Sequence, residues 1–205
     1  LTGTETELGT AGQETWYVVQ GTLNYSHGIQ LLGNTHIILC DGAAMNIGSS
    51  DNPVSGSSFQ EKVGFYGDGN NLSLYAQSGN TGALTIYSQS CSFDVKDLTI
   101  AGGNVNATSR SSVPVIGCYY LTVCRSSLDI HNTNGNAVYA FNDVTLSNVT
   151  ANINSSNSVG LTCINFAVDN SQLTVNARSE AIWAINGIIT LSNVTANINS
   201  SNSIG

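Results

Sequence analysis

Aromatic residues at regular spacing are the first chemistry this chain offers. Tyr139, Thr162 and Trp183 stand 23 and 21 residues apart, each between inward-type neighbours: Val138 and Ala140, Leu161 and Cys163, Ile182 and Ala184. On a strand, that alternation turns the flanking residues toward a core and the middle residue outward. Tyr119 and Tyr120 lie one interval earlier, near the same face. Exposed rings on a rigid surface can stack on sugar rings, and the surrounding Asn and Ser can hydrogen-bond sugar hydroxyls. Tyr120, Tyr139, Thr162 and Trp183 are therefore the candidate ligand-binding residues, with a neutral or weakly charged glycan as the expected ligand.

The other reactive residue types do not assemble into a catalytic group. Asp97 and Asp143 fall two intervals apart with Tyr120 between them. At ~10 Å, two strand spacings, with a tyrosine between, they do not form a retaining carboxylate pair. Glu180 is a lone acid near Trp183, and His27, His36 and His131 have no partners at metal-ligand spacing. There is no G-x-S-x-G, H-E-x-x-H, phosphate loop or C-x-x-C. No catalytic residue and no metal ligand are assigned, and the expectation is a non-enzyme without a cofactor. Calcium at the turn sequences Asp41-Gly42 or Asp68-Gly69-Asn70 is the one ion these residues bring to mind.

The spacing of the rings comes from a repeat. Residues 145–160 read TLSNVTANINSSNSVG and residues 190–205 read TLSNVTANINSSNSIG, one difference at an offset of 45. A weaker echo at Phe166–Val175 divides that period in two. Four apolar columns keep the rhythm: Leu98, Leu121, Val144, Phe166, Ile189; Ile100, Val123, Leu146, Val168, Leu191; Val105, Leu128, Ala151, Leu173, Ala196; and Ala107, Ile130, Ile153, Val175, Ile198. Paired columns lie two residues apart, which is strand alternation. Between the pairs stand Gly102-Gly103, Asn148, Asn170 and Asn193, residues that accept the left-handed backbone of a sharp corner. A 22–23-residue unit of short strands and tight corners predicts an all-β fold, a single-stranded right-handed parallel β-helix of about eight coils. Thr35–Leu39 and Asn71–Tyr75 read as earlier strands, with Ser49–Ser58 as an inserted loop. Thr108, His131, Asn154, Asn176 and Asn199 form a corner ladder with His131 as a structural member, and Thr99, Thr122, Thr145, Ala167 and Thr190 form an outward column.

The expected domains are a flexible leader, residues 1–15, and a solenoid, residues 16–205, which continues into further coils beyond Gly205. A bare last coil predicts end-to-end self-association. Only 9% of residues are charged and the net charge is −8 with five Lys plus Arg, which disfavours nucleic acid and anionic membranes as partners. No apolar run is long enough for membrane insertion. Cys118 and Cys163 share a column with Ala140 and Ala184, two coils apart and beyond disulfide reach, so they read as small buried residues.

The stretch Trp16–Leu23, then Gly28-Ile29, Ile37–Ala43 and Leu84–Tyr87, resembles the opening coils of large secreted or surface-anchored β-helix proteins of gut-dwelling anaerobic bacteria. These are similar in fold to the pectate-lyase superfamily. The resemblance implies a secreted or cell-surface, adhesin-like module, with a glycan or host-surface ligand as its partner. A polysaccharide lyase or glycoside hydrolase of that fold and a purely structural spacer are the alternatives. The lyase pattern of clustered Asp with Arg or Lys at coil spacing does not carry over to this chain.

Overall fold

The computed structural model describes residues 1–67 and 69–202. It is a parallel β-solenoid of eight coils, each contributing a strand to three faces. Face A carries short strands from Glu7–Leu8 and Ile29–Leu31 through Phe93–Asp94, Ile116–Cys118, Val138–Ala140 and Leu161–Cys163 to Ile182–Ala184. Face B runs from Glu14–Val19 to Ile189–Ser192, and face C from Thr22–Tyr25 to Thr195–Ser200. In two central coils the B and C strands are continuous, Asp97–Ser109 and Tyr120–Asn132. Every strand pairing among the described residues is parallel.

The four apolar columns are inward ladders in the expected register: Ile100 pairs with Val123, Val123 with Leu146, Leu146 with Val168 and Val168 with Leu191. Their burial is near complete until the last coil. Phe166, Val168 and Val175 are buried, whereas Ile189, Leu191 and Ile198 of the same columns are 43–46% exposed, lying in the last coil of the described residues. Phe65 and Phe93 stack inside face A with ring centroids 5.9 Å apart. The inserted loop follows Gly48 and is longer than expected, since it includes a 3-10 turn, Gln60–Lys62. The Ser58 hydroxyl accepts from the Glu61 amide, and the Glu61 carboxylate accepts from the Ser57 and Ser58 amides. Val54 is buried and bridges to Ser88, tying the loop to face C.

The corners between faces B and C turn on left-handed residues in every coil: Gly21 (φ 67°), Gly42 (73°), Asn80 (57°), the pair Gly102 (100°) and Gly103 (82°), Arg125 (51°), Asn148 (55°), Asn170 (47°) and Asn193 (52°). Where serine follows, its hydroxyl closes the corner: Ser171 accepts from the Val149 amide at 3.0 Å and donates to the Asp169 carbonyl at 2.7 Å. Amide ladders run along the stack, Asn176 donating to Asn154 and Asn199 to Asn176, both at 2.8 Å, as stacked amides do in cross-β assemblies. His131 sits in this column between Thr108 and Asn154.

Residues 1–15, expected as a flexible leader, take part in the first coil instead. Glu7–Leu8 pairs with Gln30–Leu31, Leu8 is buried, and the strand Glu14–Val19 begins before Trp16. The apolar content that drives this is two leucines, Leu8 in the core and Leu1 packed against it, which gave no periodic signal. Glu5 then clasps the end of the solenoid: its carboxylate accepts from the Thr2 and Gly3 amides and from the Tyr25 hydroxyl at 2.8 Å. Burial works to raise its pKa, but the hydrogen bonds from Thr2 and Tyr25 outweigh it and hold the carboxyl at about 2.

Two expectations follow. Arg125 is the one corner residue with neither glycine's freedom nor the short amide that suits this backbone, so Arg125→Asn should stabilise the protein by about 0.5–1 kcal/mol, raising its melting temperature by roughly 1–4 °C; a lower midpoint would refute the strain. Because Glu5 has a lower pKa folded than unfolded, its contribution is fully present above pH 4.5 and is lost as pH falls toward about 2. Hydrogen exchange at Thr2–Glu5 should therefore accelerate, relative to the core, across that window. Protection unchanged down to pH 2 would contradict the clasp.

Candidate functional site

Outward side chains of face A form one column with a residue from each coil: Glu7, Gln30, Tyr66, Asp94, Gly117, Tyr139, Thr162 and Trp183. The register expected for Tyr139, Thr162 and Trp183 is therefore present. They do not, however, make one continuous platform. Thr162 is only 1% exposed; its hydroxyl accepts from the Asn136 side chain at 3.2 Å, and Asn136 in turn accepts from Ser158 at 2.8 Å. The expectation of an exposed Thr162 is thus corrected: the strand alternation turns it outward, but residues of the neighbouring coil turns cover it. Trp183 stands half-exposed beyond this covered patch.

Tyr139 belongs to a different assembly. Its ring meets Phe141 edge-on at 5.0 Å, and Phe141 meets Tyr119 at 5.2 Å. On the far side, Phe59 of the inserted loop packs edge-on against Tyr66 at 6.4 Å. Between the two aromatic groups lies a groove of about 670 Å³. Its floor follows the outward column through Asp94 and Gly117 to Tyr139, and its sides are closed by Val113 and Pro114 on one flank and Lys96 with Tyr119 on the other. Phe59, Tyr119 and Phe141 are 42–57% exposed, so the rim presents aromatic surface to solvent.

Tyr120, expected beside Tyr139, instead opens a face B strand and pairs in register with Asp97; its neighbour Tyr119, at the corner, is the tyrosine that lines the groove. Sequence reading missed Phe59, Tyr66, Asp94, Gly117 and Phe141. Phe59 sits in an insertion with no periodic signal. Tyr66 and Asp94 precede the regular repeats, and Phe141 occupies a corner position where alternation says nothing about direction. Asp143, considered as an acid, is engaged at a corner, its carboxylate accepting the Asn165 side chain at 2.8 Å. Glu180 accepts from the Ser179 hydroxyl.

Asp41, one of the two calcium candidates, has its carboxylate turned to the Gly79 amide at 3.0 Å, an arrangement that closes a turn. Asp68 lies outside the described residues. Among the described residues no group of three or more His, Cys, Asp or Glu is placed to hold a metal ion, and no helix is long and apolar enough to cross a membrane. On face B, the threonine column ends at a stack in which Trp16 lies flat on His36, centroids 4.2 Å apart, with Tyr75 against Trp16 at 5.4 Å.

All five cysteines are free thiols. Cys91 and Cys118 line the groove yet are buried, and Cys163 continues the ladder through Ala140 and Ala184. Desolvation, reinforced by nearby carboxylates (Asp94, Asp97 and Asp143 respectively), pushes all three thiols up to about 12. Cys91 and Cys118, the two that line the groove, are protonated at physiological pH.

Comparison with known proteins assigns no relative: no protein-family model, no curated protein and no solved structure matches the chain.

In native protein at pH 8, a thiol reagent should label the partly exposed Cys40 and Cys124 rapidly and leave Cys91, Cys118 and Cys163 unmodified until unfolding. Fast labelling of Cys118, followed by peptide mapping, would show that the groove floor opens.

Proposed function

We propose that this chain is a non-enzymatic, adhesin-like solenoid module, secreted or displayed at a bacterial surface, that recognises neutral glycans on face A. The observation that carries the reading is the groove of Phe59, Tyr66, Tyr119, Tyr139 and Phe141 around a carboxylate and an ammonium group. A concave apolar site with a few polar groups at fixed positions is the general form of a small-ligand site. Aromatic rings offer flat faces to the C–H surfaces of sugar rings, while Asp94 and Lys96 can take hydroxyl hydrogen bonds. The net charge of −8 disfavours polyanions, and no cofactor enters this reading. Placement at the cell surface rests on the resemblance of the opening coils.

A glycan-array screen tests the reading. Replacing Tyr119 and Phe141 together by Ala should abolish binding while leaving the melting temperature nearly unchanged, since both rings line the groove and are more than half exposed. Retained affinity would remove this face. Release of unsaturated or reducing ends from a polysaccharide, abolished by Asp94→Asn, would establish the alternative, a lyase or hydrolase. Failure to bind any glycan would favour the structural spacer.

A further inference from the structure

We propose that Gly117 is the ring-seating and size-limiting position of the groove, which holds a short neutral oligosaccharide with one sugar directly over Gly117 beside Asp94. The inference rests on the glycan reading above and narrows it to one place on face A.

Most buried-face glycines in the chain are enforced by packing: a Cβ on Gly28 would strike the Val63 carbonyl, one on Gly135 would crowd the Ser112 carbonyl at 2.5 Å, and one on Gly187 would strike the Ile164 carbonyl. Others are enforced by a left-handed backbone, as at Gly102. Gly117 has neither reason. Its φ lies outside the left-handed range, and a Cβ there would meet only the Pro114 ring at 3.7 Å, the Phe93 carbonyl at 3.8 Å and the Asp94 carboxylate at 3.9 Å, all ordinary contacts. Glycine within a strand costs stability, and here nothing in the fold demands it. What the missing side chain leaves is space in the outward column, between Asp94 and Tyr139, at the floor of the groove.

The dimensions follow from the coil spacing. Tyr66, Asp94, Gly117 and Tyr139 occupy successive coils, so the two tyrosines bracket the floor at ~14 Å, three strand spacings. That length holds a short run of linked sugar rings rather than a single one. Tyr66 and Tyr139 supply an aromatic surface at each end, and the gap above Gly117 admits a ring close to the backbone.

The polar groups set the ligand class. A carboxylate is an acceptor with two oxygens, suited to neighbouring hydroxyls of one sugar. Asp94 is half-buried on the floor, whereas Lys96 is exposed on the rim. A uronate ring over Gly117 would set its own carboxylate against Asp94 in a partly desolvated site, a like-charge contact that is costly there. A neutral ring meets no such penalty. A nucleic acid would be repelled by the same carboxylate.

The test is titration calorimetry of the 205-residue chain with cellotetraose, mannotetraose, maltotetraose and tetragalacturonate, using wild type, Gly117→Ala and Gly117→Leu. Leucine fills the space without offering a stacking surface, and its melting temperature should be unchanged or higher. At least one neutral tetrasaccharide should bind, with tetragalacturonate weaker by about tenfold or more. Gly117→Ala should change affinity little, and Gly117→Leu should weaken it by about tenfold or more. If a neutral tetrasaccharide binds equally to wild type and Gly117→Leu, the groove assignment falls while the glycan reading stands. If tetragalacturonate binds best, the role given to Asp94 is overturned. If none of the four binds, and the array is also blank, both readings fall together.

Discussion

Every feature of this protein depends on the parallel backbone ladder that joins each coil to the next. Parallel pairing fixes successive strands at ~4.8 Å and places each residue over its counterpart one coil earlier. The chain therefore cannot choose its side chains coil by coil. A position that faces inward once faces inward eight times, and the columns Ile100–Val123–Leu146–Val168–Leu191 and Leu98–Leu121–Val144–Phe166–Ile189 are the direct record of that constraint. The same constraint leaves Ile189, Leu191 and Ile198 of the last described coil exposed, because the ladder covers a strand only when a strand lies on each side.

The ladder also dictates the corners. A coil of this size must reverse direction within one or two residues, which requires a left-handed backbone at the same place each time. Glycine and asparagine supply it in most coils, and the asparagines then hydrogen-bond to one another along the stack, Asn193 to Asn170 at 3.2 Å. Charged residues would repel at this spacing, so a low content of Lys, Arg, Asp and Glu is a consequence of the architecture, with Asn, Ser and Thr taking the polar positions.

The proposed function, by contrast, rests on the places where the repeat is broken. The face A groove exists because the inserted loop after Gly48 brings Phe59 over Tyr66, because residues 110–115 raise Val113 and Pro114 beside the strands, and because the outward column drops to glycine at Gly117. A strictly regular coil stack would present a flat face with no concavity. Buried thiols beneath the groove keep the floor neutral apart from Asp94.

The sequence by itself determined the architecture. A near-copied 16-residue segment and four apolar columns are enough to specify coil length, register, corner positions and which residues form the core, because a ladder repeats one local pattern and periodicity survives in the residue order. It also placed Tyr139 and Trp183 in one outward column. Only the tertiary structure decided what that column does. Whether an outward residue is exposed depends on corner segments from adjacent coils, which is how Thr162 came to be covered by Asn136 and why Tyr139 turned toward Phe141 and Tyr119. Phe59 meets the groove across an irregular insertion, and Leu8 reaches the core from a segment with no repeat. Such contacts join residues with no fixed spacing, so no period in the sequence encodes them.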